Sequence, residues 1–150
     1  MENKAHHYRY IEWKTPDEMH FSSLQWKSEL NFIRDEHRFF EDMLKEYTMP
    51  IIESQLFSLV KELIQQLELS RKDLSELISR VNDHINRLQR LVEDIDEPKE
   101  GKVYRQEHKN ILNDVVHFSR QYKRLKKDIF EAVTKAMKQQ KQKRLLPKGS

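Results

Sequence analysis

The sequence predicts an all-α fold: an antiparallel up-down-up bundle of three long helices with coiled-coil-like seams. Apolar residues recur at alternating spacings of three and four through three long stretches, which is the period of one helix face and not of a strand. The 150 residues include 2 Gly and 4 Pro, too few turn formers for a many-stranded β protein and too few glycines for a phosphate-cradling loop. With no Cys, the chain has no disulfides, thiolate metal sites or cysteine nucleophiles.

Residues 1–14 lack a helical period and read as an N-terminal aromatic arm carrying Tyr8, Tyr10, Ile11 and Trp13. Thr15-Pro16-Asp17-Glu18 starts a helix, with Thr15 as cap, Pro16 at the first helical position and Glu18 placed to close a capping box. The first helix is expected over about 16–47, with its seam on Trp26, Leu30, Ile33, His37, Phe40, Leu44 and Tyr47. Pro50 breaks it, because proline disfavours helical geometry at the residue before it. The second helix is expected over about 50–94, with a seam from Leu56 through Val60, Leu63, Leu67, Ser70 and Leu74 to His84, Leu88 and Leu91. Ser70-Arg71-Lys72-Asp73 could imitate a cap, but the register does not slip there and no Gly or Pro intervenes. A turn over 94–102, marked by Pro98 and Gly101, precedes a third helix over about 103–142. Its seam includes His108, Ile111, Val115, Phe118, Tyr122, Leu125 and Ile129. The bundle thus spans 15–143, followed by a flexible basic tail at 144–150.

The unequal lengths carry an expectation about assembly. The first helix is about 46 Å long and the second about 68 Å. The first should run out near Val81, leaving a two-helix hairpin of roughly 20 Å. Ile78, Ile85 and Val92 widen the apolar stripe of the second helix there, and Leu112 and Val116 widen that of the third. Either the arm, through Trp13, or a second copy should cover this surface, the second copy giving a homodimer. Phe32, Phe39 and Met43 form a second stripe on the first helix and offer another covered face, read most simply as a helix buried on a broad front within its own bundle.

Three of the 7 histidines, His37, His84 and His108, occupy seam positions. His37 and Glu41 share a helix face, and carboxylate-bundle metal sites use such pairs. Antiparallel pairing, however, sets His37 level with Val60 and Met137, His84 with Asn113, and His108 with Gln89, so no two share a layer. No metal and no cofactor is expected, and the three read as polar seam residues that fix register. A buried neutral His also resists protonation, so the fold or its assembly should weaken below about pH 6.

The carboxylates are spread over polar faces, and Ser119 and His117 cannot face each other at i, i+2. No enzyme activity is expected. The formal net charge of +3 hides an asymmetry: after residue 120, ten Lys/Arg face only Asp128 and Glu131. Lys123, Arg124, Lys126, Lys127, Lys138, Lys141, Lys143 and Arg144 are candidate anion-binding residues, for nucleic acid or an anionic membrane surface. No apolar run is long enough to span a membrane, and the composition fits a cytoplasmic protein. The leading expectation is a non-catalytic interaction or scaffold module that self-associates through the hairpin end. An anion-binding protein using the 121–148 face is the alternative, and a ligand-holding bundle is less favoured.

Overall fold

The computed structural model describes residues 15–93 and 98–145, and every element in it is a helix. These are α1 (Pro16–Glu46), α2 (Thr48–Glu53), α3 (Phe57–Glu93) and α4 (Pro98–Leu145). The aromatic arm with Trp13, and residues 146–150 of the tail, lie outside the described residues. No described helix is long and apolar enough to cross a membrane.

α1 begins as its sequence dictates. The Thr15 hydroxyl accepts from the Glu18 N–H at 3.2 Å and donates to the Glu18 carboxylate at 3.2 Å. This satisfies one of the amides a helix start leaves open. At the other end the Thr48 hydroxyl reaches back to the carbonyls of Leu44 and Lys45, at 3.1 and 2.7 Å.

The expected second helix, 50–94, is corrected at its start. The six residues of α2 intervene, and Ser54 is then extended, at φ −87° and ψ 161°. The bend is held by its own polar groups: the Ser54 hydroxyl donates to the Ile51 carbonyl at 2.7 Å and accepts from the Leu56 N–H at 3.1 Å. Gln139 accepts from the Gln55 N–H at 3.1 Å, and Lys143 donates to the Glu53 carbonyl at 3.0 Å. From Phe57 the helix is unbroken through Ser70 to Glu93. α4 also starts earlier than expected: Pro98 opens the helix in place of marking a turn, which its fixed φ and missing N–H permit at a first helical position.

The chain forms two compact units. Among the described residues, one combines those up to Ile33 with those between Leu74 and Phe118, and the other combines Arg34–Asp73 with those from Ser119 on. In the first, Met19, Trp26, Leu30, Leu74, Val81, Leu88, Ile111 and Val115 are buried. In the second, Phe40, Leu44, Val60, Leu63, Leu67, Tyr122, Leu125 and Ile129 are buried. Phe130 meets Phe40 edge-on at 5.2 Å.

The expected uncovered hairpin is also corrected. Met19, near the start of α1, packs with Leu88, Leu91 and Tyr104, so α1 covers this part of the first unit. The α2 insertion lengthens the link between α1 and α3 and slides their pairing toward the C-terminal end of α3.

Candidate functional site

Each unit contains a buried polar layer built on seam histidines. In the first, Nε2 of His84 on α3 lies 2.9 Å from Nδ1 of His108 on α4. Their rings tilt at 34° with centroids 5.1 Å apart. From α1, Trp26 stacks on His108 at 4.4 Å and the Ser23 hydroxyl lies 3.5 Å from His108 Nδ1. That hydroxyl donates its hydrogen to the Met19 carbonyl at 2.7 Å, so toward His108 it can only accept. One imidazole of the pair therefore donates to the other, and Glu107 lies 3.6 Å from Nδ1 of His84.

The separate layers expected for these two histidines are thus replaced by a shared one. The shift has the same kind of cause as the α1–α3 slide. With α4 starting at Pro98 and α3 ending at Glu93, the connection is shorter than the expected turn over 94–102, so α4 moves relative to α3 by about one turn.

The electrostatics of the pair follow from its surroundings. Burial first, and then the Arg87 guanidinium, lower the His84 pKa from 6.5 to about 4. Glu107 does not reverse this, because Arg87 engages both of its oxygens, at 3.1 and 3.2 Å.

In the second unit, His37 Nε2 lies 3.0 Å from the Ser70 hydroxyl and its ring stacks on Tyr122 at 5.1 Å. Glu36 takes an ion pair from Lys126 at 2.6 Å. Burial, then the charge of Glu36 and its hydrogen bond, push the Tyr122 hydroxyl pKa upward. The Ser70 hydroxyl and the His37 imidazole thus pair with each other, and the Tyr122 ring stacks on that imidazole.

Ser23, His84 and His108 are fully buried, and the Ser23 hydroxyl's hydrogen is committed to the Met19 carbonyl. Among the described residues no group of three or more His, Asp or Glu is placed to hold a metal. A surface groove of about 460 Å³ between α3 and α4 in the first unit is lined by Arg80, Arg87, Gln106 and Asn110. Its arginines are engaged by Asp114 and Glu107.

The remaining candidates are dispersed. Ile85 is buried within the first unit and Ile78, Leu112 and Val116 are half-buried, while the Val92 side chain lies outside the described set. Phe32 and Phe39 are 63% and 56% exposed, and Phe21, which the sequence reading did not select, is 63% exposed. Spacings of eleven and seven residues put all three on one side of α1. Lys126 and Lys143 are engaged internally, whereas Lys123, Arg124, Lys127, Lys138, Lys141 and Arg144 are exposed. Sequence reasoning also missed Ser23 and Glu107 as members of the histidine layer. Ser23 had a signal, since it stands three residues before Trp26 in the same heptad phase. No family model, curated protein or solved structure matches the chain.

Proposed function

We propose that the protein is a non-catalytic helical interaction module that self-associates through the outward side of α1. The observation that carries this reading is the exposure of Phe21, Phe32 and Phe39 on one side of that helix, outside the buried seam. Large aromatic side chains gain about 1.5–3 kcal/mol each on full burial, and a face repeated on a second copy supplies the cover. The module reads as an up-down-up bundle of α1, α3 and α4. In the first unit, the pairs Arg80–Asp114, His84–His108 and Arg87–Glu107 support antiparallel α3 and α4. In the second, Glu36–Lys126 and Phe40–Phe130 support parallel α1 and α4.

The hairpin-end contact expected from the sequence gives way to α1 in this proposal, because Ile85 is already covered within its own unit. Exposed Glu29, Asp35 and Asp42 border the phenylalanines, so two copies bring like charges together. Salt should therefore strengthen the association by screening them. Light scattering at about 100 μM protein, a concentration that populates a micromolar dimer, provides the test. The mass should rise from the monomer's 18.3 kDa toward twice that value as salt goes from low to high. A mass fixed at 18.3 kDa in both conditions contradicts the proposal.

A further inference from the structure

We infer that the outward face of α4 between Lys123 and Lys141 binds the phosphate backbone of double-helical nucleic acid. Lys123, Arg124, Lys127, Lys135, Lys138 and Lys141 are all exposed. At 100° per residue they fall within about 60° of one line along the helix. Tyr122, Leu125, Ile129, Val133 and Ala136, all buried, occupy the opposite side, which fixes the cationic side as outward. The stripe is about 27 Å long, matching roughly eight base pairs of duplex axis.

The chain separates these cations from those it uses internally. Lys126 and Lys143 flank the stripe and are taken by Glu36 and the Glu53 carbonyl. Within the stripe, Lys127 approaches Glu131 at 3.9 Å with both side chains exposed, a contact worth little in water. Among the described residues the other five form no ion pair, and Glu131 and Asp128 are the only acids of α4 beyond residue 120.

The form of the stripe selects the partner. Five of its six cations are lysines, point charges suited to phosphates and not to bidentate reading of bases, so binding is independent of sequence. The one exposed aromatic at the margin of the stripe, Phe130, meets Phe40 edge-on in its own unit, which leaves unpaired bases little to stack on and disfavours single strands. A membrane-surface helix needs an apolar side free to enter the headgroup region, and here that side of α4 is buried in its own unit.

Fluorescence anisotropy of the full chain with a mixed-sequence 30-base-pair duplex tests this. Binding should be measurable at about 50 mM salt and weaken roughly 100- to 1,000-fold by about 200 mM, the behaviour of about four to five neutralised phosphates. The triple change Lys135→Glu, Lys138→Glu and Lys141→Glu should weaken binding at least about tenfold with an unchanged melting temperature, and the corresponding Gln variant should lose less. Three results overturn the inference: no binding at about 50 mM salt, binding that both variants leave unchanged, or a duplex affinity no greater than that for single strands or phosphatidylserine vesicles.

Discussion

Replacing Met19 by Ala should lower stability by about 2–5 kcal/mol, read as a shift of the denaturant midpoint at constant slope. Met19 is fully buried and packs on Leu88, Leu91 and Tyr104, so truncation removes apolar burial and leaves a cavity lined by three side chains. Had α1 run out near Val81, Met19 would lie level with Ile78 of α3 and away from Leu88, Leu91 and Tyr104. Leu24→Ala is the internal control: that side chain is exposed on the same helix and should move stability by less than about 0.5 kcal/mol. Equal effects of the two substitutions would contradict the pairing of α1 with the C-terminal end of α3.

Acidification from pH 7 to pH 4 should cost roughly 3 kcal/mol through His84 alone, with about half of it gone by pH 5.5. The sign follows from a folded pKa of about 4 against an ordinary value of 6.5. Between these values the unfolded chain binds a proton that the folded chain refuses, so the contribution is complete above pH 6.5 and is lost as pH falls toward 4. Arg87, Glu107 and His108 are the ionisable groups around the ring, and Glu107, held by Arg87, offers little compensation. Carboxylates also titrate below pH 5, so the informative quantity is the difference in slope between the parent and His84→Gln. The variant, although less stable at neutral pH, should show a flatter dependence between pH 6.5 and 4.5. Identical slopes would exclude His84 as the source.

Much of the fold was legible because heptad phase reports burial directly. The seam from Trp26 to Leu44 and the seam from Ile111 to Ile129 are buried throughout, and Met19 and Ser23 continue the first of these backward in phase. What the sequence could not convey was the alignment between helices. Periodicity is a property of one helix, whereas the level at which two helices meet depends on the geometry of the link. Pro50 signalled a break but not the extended Ser54 that follows α2. Pro98 has two readings, turn residue or first helical residue, and the second applies. The shift this causes turned two histidines assigned to separate layers into a hydrogen-bonded pair. The polar character of the site was therefore visible in the sequence, and its composition was not. The exposed phenylalanines were legible only in part. Phe32 and Phe39 stood out at heptad spacing, while Phe21, eleven residues before Phe32, needed the exposure of α1 to join them.

In the proposed assembly the outward phenylalanines of α1 hold two copies together. Sedimentation velocity of the parent chain beside the Phe32→Glu/Phe39→Glu variant, at high salt and matched concentration, tests it most directly. Both residues are more than half exposed, so the variant should keep its fold while acquiring charge at the proposed contact. The parent should sediment as a dimer and the variant as a single 18.3 kDa species, with matching circular dichroism. A variant that sediments as the parent does, whether both are dimers or both are monomers, would contradict it.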